Sequence, residues 1–583
     1  MGFFRDYSGA DDAPLLDGDP GFVGVDMRRD PGQLEPGLVS EAWNTRFTDG
    51  VAKPRKGIRL IAWGARHEAG YGPGDILPYG SVSGAGVFND PITGYQWLIV
   101  VTSNGVFKAR PGTTASSVSI PSGETIPASV QLIQTYNGLV MLRGASYAPL
   151  YCDDLNIGFK TLPDATNATG NVAIPASSSG IYFQNRLFVI DGRTDATHVD
   201  TVFVSDFGTV FDVLEGSLAY NSFKINAGSS DRLVALYRFN DTTLIAAKDA
   251  SIYTVSQIYG TNEDLAANAR LDAVTTEYGC KAAKSFVQVG NDVWFLAHRR
   301  GICSIRQTDQ NKLQGVDVPV SRDIDPLIRR INWEHAAGAV AAYHDNKVYL
   351  AVPLDEADYN NTVFVYDTLT QKWAGADQGS QLKVKDWIKV FYAGAIRLAF
   401  VSTDGFVCMY EDGALDHVGS STGAVAYESV RHSLITRGYG GHQPGRKRFG
   451  QIRCRFATWW SRFDVTAHVD GVSEERALGT VGPFSRTAYR RPHDRSDWDS
   501  GNTNDDFLEP YREDYAIIVP DAGMITGDNG LKADEHQVID KGWRLRERGR
   551  FVQLEIAGTQ GRTELRDVQV EMFRGSGRNP IQS

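Results

Sequence analysis

NKVYLAVPLDEADYNNTVFVYD, Asn346 to Asp367, consists of two short apolar strands held apart by a polar break. In the second strand Thr362, Phe364 and Tyr366 fall on one face and Val363, Val365 and Asp367 on the other, the period of two that a pleated strand imposes. The same phrase recurs along the chain. It is read as QWLIVVTSNGVFKA from Gln96, NGLVMLRGASYAPLYCD from Asn137 and NRLFVIDGRTDATHVDTVFVSD from Asn185. It returns as TTLIAAKDASIYTVSQ from Thr242, NDVWFLAHRRGICSIRQ from Asn291 and RLAFVSTDGFVCMYED from Arg397. Successive starts lie 41, 48, 57, 49, 55 and 51 residues apart. Units of ~40–50 residues that each hold several short strands have the period of a propeller blade. One such sheet cannot bury both of its faces, so the units must stack around an axis. The expectation is an all-β chain with a β-propeller of about seven blade-like units over 81–425. The sialidase-type Asp box is absent, and the Trp-Asp pair, Trp498-Asp499, lies outside the array.

Composition agrees with many tight turns and strands. The 583 residues include 60 Gly, 24 Tyr, 27 Phe and 11 Trp but only 6 Met. That length, at ~150 residues per domain, predicts several domains or one very large β unit. The net charge of −11 excludes a general basic footprint for nucleic acid. The charge is unevenly spread: residues 426–583 carry 24 basic and 23 acidic groups, so the preceding 425 carry a net −12.

After about residue 425 the texture becomes alternating strand, and RFDVTAHVDG and GRFVQLEIAGTQGRTELRDVQVEMF continue it to the end. Residues 426–583 are expected to form a C-terminal β-sandwich-like platform domain, and residues 1–80 an N-terminal arm and hairpin that contribute to it. Between Arg431 and Arg462 there are eight basic residues and no acidic one. Arg446, Lys447 and Arg448 follow a Gly/Pro-rich loop and are expected to be accessible. Arg453 and Arg455 alternate with Ile452, Cys454 and Phe456 and so share the outer face of a strand. These five form a candidate basic interface or DNA-facing patch. An interface with an acidic neighbour, in this chain or an adjacent subunit, is preferred over phosphate.

Little in the sequence points to catalysis, and the chain is expected not to be an enzyme and to need no cofactor. The five Cys, at 152, 280, 303, 408 and 454, lack ligand spacing and read as free core thiols. The eleven His are scattered, with no HExxH, and no P-loop, GxGxxG or GxSxG motif is present. The acidic loop at 493–510 holds Asp497, Asp499, Asp505, Asp506 and Glu509, but from Asp497 its Gly501 falls fifth and Glu509 thirteenth, out of register for an EF-hand. It reads as a solvated loop, and no metal site is assigned. The first residues carry no signal-peptide apolar run, Asp6 breaks the myristoylation pattern, and no stretch reaches ~18 apolar residues, so no membrane span is expected.

The stretch SEAWNTRFTDGVAKPRKG, Ser40 to Gly57, reads as a hairpin. Trp43, Thr45 and Phe47 face one way, Asp49-Gly50 makes the turn, and Pro54 confines the return strand to an edge or end. Arg46, Asp49 and Arg55 form a candidate strand clamp or interface. Extended to DMRRDPGQLEPGLVSEAWNTRFTDGVAKPRKG, this segment resembles the N-terminal pattern of tail nozzle (tail tubular, tail-hub) proteins of tailed, especially short-tailed, bacteriophages. The residues that carry the resemblance are Asp26, Leu34, Gly37, Ala42, Asn44, Arg46, Phe47, Asp49, Gly50, Arg55 and Gly57. Further similarity lies in IYFQNRLFVI, TVFVSDFGTVFDV, TTEYGCKAAKSFVQVGNDVWFLAHRRGI and the closing GRFVQLEIAGTQGRTELRDVQVEMF.

The resemblance implies a structural protein of the virion tail, made in the cytoplasm of a host bacterium. It implies a homo-oligomer, a hexamer, lying below an adaptor (head-to-tail connector) protein, docking tail fibres or spikes and letting double-stranded DNA pass. Two alternatives remain open: a baseplate or fibre-attachment protein of a longer-tailed phage, and a propeller-type glycan-binding protein or hydrolase.

Overall fold

The computed structural model describes residues 14–61, 81–481 and 537–574, apart from 92, 111–114, 145, 162–173, 191–198, 209, 211–221, 259–264, 308–312, 317, 393, 414, 420–425, 443–444 and 472–474. Seven four-stranded antiparallel units follow one another. Blade 1 is Val82–Asn89, Gln96–Thr102, Gly105–Ala109 and Ser116–Val118; blade 2 is Gln131–Gln134, Leu139–Leu142, Leu150–Cys152 and Lys160–Thr161. Blade 3 is Ser179–Phe183, Arg186–Ile190, Thr201–Val204 and Ser222–Lys224; blade 4 is Leu233–Arg238, Leu244–Lys248, Ile252–Ser256 and Arg270–Thr275. Blade 5 is Val287–Val289, Asp292–Ala297, Gly301–Gln307 and Leu313–Gly315; blade 6 is Val340–His344, Lys347–Val352, Thr362–Asp367 and Lys372–Asp377. Blade 7 is Val384–Tyr392, Ala395–Ser402 and Val407–Met409, and its fourth strand, Arg59–Leu60, comes from the other end of the chain.

The first strands of successive blades lie side by side around the axis, blade 4 meeting blade 5 through the turn Ala283–Ser285 before its first strand, and that of blade 7 packs against that of blade 1, closing the ring. The protein is therefore a β-propeller. Six blades stand as separate sheets and the seventh unit, blade 6, is continuous with a larger sheet. Each repeated phrase of the sequence is the second and third strand of one blade. The first and fourth strands, shorter and less uniform, carried no comparable signal.

The larger sheet has fifteen strands. From blade 6 it passes through Gly24–Val25 and Leu38–Trp43 of the N-terminal arm to His432–Thr436, then to the paired 23-residue strands Val552–Arg574 and Lys447–Val469. This long ribbon doubles back on itself. Lys447 pairs with Gly549, and a β-carbon on Gly549 would stand 2.4 Å from Val469 Cγ1, so the two ends of one strand meet. The register slips at Trp459/Arg462 mark the fold, because bulges sharpen twist and bend a ladder. Phe456 and Phe463, on either side of it, bring their rings to 4.6 Å. The two layers expected of a sandwich-like platform are thus the two halves of one ribbon.

One apolar core joins the platform, the arm and blades 6 and 7. Ile452, Phe463 and Leu554 of the ribbon, Phe47 of the arm, Val363 of blade 6 and Phe400 of blade 7 are buried in a single cluster. The boundaries at 80 and 425 are therefore crossed by pairing: the arm serves the platform, blade 6 and, through Arg59–Leu60, blade 7. Among the described residues no helix is long and apolar enough to cross a membrane.

All five cysteines are free and buried. Burial pushes the Cys152 thiol up to about 12 and the Cys303 thiol up to about 11, and raises those of Cys408 and Cys454 further. A thiol that is neither ionised nor accessible does not react. Native protein at pH 8 is expected to leave a disulfide reagent such as DTNB unconsumed over minutes, while the denatured chain titrates five thiols; fast native labelling would contradict this packing.

Candidate functional site

The residues singled out between Ser40 and Gly57 meet where propeller, arm and platform join. Two strands of the arm, Leu38–Trp43 and Thr45–Thr48, are separated by Asn44, which takes a positive φ of 51°. Asparagine tolerates that region because its short amide bonds locally. Here the amide ties three segments together. Its Nδ2 donates to the Arg431 carbonyl at 2.7 Å, and its Oδ1 accepts from Arg55 Nε and from the Gln378 amide, both at 3.0 Å.

Arg46 is 5% exposed and donates two hydrogen bonds to Asp377, at 3.0 and 2.5 Å, from an arm strand to the last strand of blade 6. Its Nε donates to Glu411, just beyond blade 7, at 2.5 Å. Asp377 also accepts from the Tyr410 hydroxyl, and Glu411 from Tyr349 at 3.2 Å. Burial is the largest influence on Arg46 and opposes its charge. The carboxylates of Asp377 and Glu411 outweigh it and hold the pKa well above the usual guanidinium range. Burial likewise raises the Tyr410 phenol, with Asp377 beside it.

Arg55 repeats the arrangement with Asp416, at 2.7 and 2.6 Å, and Asp416 also accepts the Ile58 amide at 3.1 Å. Arg59 pairs with Asp412 at 2.6 Å, and Arg397 of blade 7 reaches the same carboxylate at 3.0 Å. Three arginines of the arm therefore close onto Glu411, Asp412 and Asp416, with Asp377 as the inner partner. Arg46 and Arg55 lie within the clamp. Asp49 lies outside it: the residue is exposed at φ 53°, beside Gly50 at φ 78°, and shapes the turn instead of anchoring a strand. Arg59 and its acidic partners were missed. The available signal was the acid-rich EDGALD, Glu411–Asp416, directly after the last blade of a chain whose arm is rich in arginine.

The second predicted group separates. Lys447 is 3% exposed and donates to the Gly445 and Arg550 carbonyls at 3.1 and 3.0 Å, which corrects the expectation that it is accessible. Its strand turns it inward against the crossing of the ribbon. Arg453 and Arg455 do lie on the outer face, with Ile452, Cys454 and Phe456 buried. Carboxylates of the adjoining strands share that face. Arg455 meets Asp540 at 2.9 Å and Asp567 at 3.5 Å, and Arg453 stands 3.9 Å from Glu571. Arg446 and Arg448 are exposed. The acidic loop at 493–510 and Trp498-Asp499 fall outside the described residues. Among the described residues no group of three or more side chains is placed to hold a metal ion.

No family model matches the chain. No curated protein matches it either. Among solved structures, one similar chain is described as "YCF48 bound to D1 peptide", with 11% identity over 57% of this chain and 93% of that one and a TM-score of 0.35. So loose a superposition carries no argument about function, and the propeller assignment rests on the strand pairing.

Removing one partner of a buried ion pair strands the other charge and typically costs about 3–5 kcal/mol. Arg46→Ala is expected to destabilise by that order in denaturant melts, and Asp377→Asn by less, since an amide retains some of the hydrogen bonds. Equal stability to wild type would show the pair to be dispensable. A pH dependence follows from His432, which lies in the strand next to the arm. Burial holds its imidazole down to about 4 from the usual 6.5. The unfolded chain binds the proton first, so stability present above pH 6.5 is lost as pH falls toward 4, by up to about 3 kcal/mol. Melting temperatures at pH 7 and 4.5 should differ less in a His432→Gln variant than in wild type.

Proposed function

We propose that the chain is a structural component of a bacteriophage tail, a nozzle or hub whose copies form a ring that conducts the genome at ejection and docks the adaptor and fibres. It acts by assembly and not by catalysis. The observation that carries this reading is where the residues of the family resemblance fall. Asp26 caps the Arg28 and Arg29 amides, Leu34, Ala42 and Phe47 are buried, and Asn44, Arg46 and Arg55 tie the joint. Asp49-Gly50 turns the hairpin, and Gly57 lies so close to Leu415 that a β-carbon would come within 2.0 Å of its carbonyl oxygen. A pattern whose members join a propeller to a platform supports the reading of a protein whose task is to hold a shape.

The charge distribution favours the same reading. A net −12 over the first 425 residues suits a wall along which a DNA backbone slides, because phosphates meeting acidic groups find no counterion release to hold them. The protein would be made in the bacterial cytoplasm and reside in the tail of the virion. Copies in a ring need one surface to recognise a different one on the next copy, and closure selects the symmetry, six-fold in this proposal.

Negative-stain imaging of the purified protein, alone and with adaptor-bearing particles, tests this. Six-fold rings with an open centre, or new density below the adaptor, are expected; isolated propellers in both samples would overturn it. The Arg46→Ala, Arg55→Ala double variant, which loses the arm's ion pairs to Asp377, Glu411 and Asp416, is expected to lose ring or adaptor binding at temperatures where it remains folded.

A further inference from the structure

The platform fold brings a second run of arginines beside the predicted one. In RLRERGR, Arg544 to Arg550, the segment alternates: Leu545 and Gly549 are buried, as is the following Phe551, while Arg544, Arg546, Arg548 and Arg550 are exposed. The segment is strand to Arg544 and again at Arg548–Gly549, with a break at 545–547 between them, and its four arginines are all exposed. Arg448 pairs directly across the ladder with Arg548, and Arg446 reaches the Arg548 carbonyl at 3.5 Å. Six exposed arginines thus converge on one end of the platform, and 95 residues of sequence separate the two runs at their closest.

Few carboxylates answer them. Asp470 stands 3.9 Å from both Arg446 and Arg550, and Glu547 is taken by Arg476 at 2.8 Å. Arg448, Arg544, Arg546 and Arg548 have no carboxylate partner among the described residues. Like charges placed opposite one another across a ladder repel. An anion laid along the stripe removes that repulsion.

We propose that this stripe binds the phosphate backbone of double-stranded DNA without reading its sequence. Arginine presents a planar fork suited to phosphate oxygens, and several of them side by side match a polyanion better than an isolated ion. Contacts of this kind position a protein on DNA and carry no sequence information. An acidic protein surface is the competing partner. Interfaces between proteins centre on apolar side chains, and none of the exposed large hydrophobic residues falls in 446–448 or 544–550. The inference stands on the patch alone and holds whether or not the chain forms a ring.

The test is fluorescence anisotropy of the full chain with labelled duplexes of about 25 base pairs and unrelated sequence, titrated from about 50 to 200 mM salt. Wild type is expected to bind both duplexes alike, with log affinity falling linearly in log salt. Replacing Arg448, Arg544, Arg546 and Arg548 together by Ser should reduce that slope by about 3–4 and weaken low-salt binding at least tenfold, at about 0.9 of slope per phosphate contact. The same four positions changed to Lys should keep most of the slope. An Arg453→Ser, Arg455→Ser variant should change it little, because those side chains already face Asp540, Asp567 and Glu571. All substituted side chains are exposed, and unchanged melting temperatures would exclude misfolding. No binding at 50 mM salt, or an unaltered slope in the fourfold Ser variant, overturns the proposal. Salt-sensitive self-association that the Ser variant loses, without DNA binding, would assign the stripe to an acidic face of a second copy.

Discussion

Arg46 and Asp377 are both removed from water, and the architecture depends on their staying together. The two charges arrive from opposite parts of the chain, one on an arm strand before the propeller begins and the other at the outer edge of blade 6. Separated in a dry interior, each would cost several kcal/mol. Paired, and bonded further to Glu411 and Tyr410, they tie the arm to blade 6 and to the segment after blade 7. Such a contact adds less to total stability than its Coulomb attraction suggests, since desolvation offsets much of it.

Around that contact the rest closes in sequence. Arg55 and Arg59 bring the same arm past Asp416 and Asp412 to blade 7, where Arg59–Leu60 supplies the missing outer strand. The propeller ring is thereby completed by a segment that also belongs to the platform sheet. One hydrogen-bonded sheet of fifteen strands joins blade 6 to the folded ribbon, through the pairs Val25–Trp373 and Trp43–Ala376. A load applied to the platform would be transmitted to the blades through ladder hydrogen bonds and a shared core.

Charge tells a similar story at two scales. The net acidity of the propeller half and the near-neutrality of residues 426–583 are both visible in composition. Composition nevertheless misplaces the exposed cations, because a strand hides alternate side chains and its neighbours supply carboxylates. Lys447 is turned inward, Arg453 and Arg455 face acids on adjoining strands, and the arginines without carboxylate partners among the described residues include Arg544, Arg546 and Arg548, outside the basic stretch at 431–462.

By itself the sequence determined the class of fold. Alternation with a period of two, turns rich in Asn, Asp and Gly, and a repeat near fifty residues leave blades around an axis as the way to bury both faces of each small sheet. It also determined the Asp49-Gly50 turn and the inward thiols, since those are local or follow from hydrophobicity. Tertiary structure alone decided what each charge does. Arg46 finds Asp377 and Glu411, Arg59 finds Asp412, and Arg448 lies beside Arg548, across sequence separations that no periodic pattern spans. It also decided that a single long ribbon, bent at Trp459 to Arg462, makes both layers of the platform. Side-chain periodicity reports which face of a strand is buried, whereas the partner of a charge depends on which strands become neighbours, and that is settled only when the whole sheet closes.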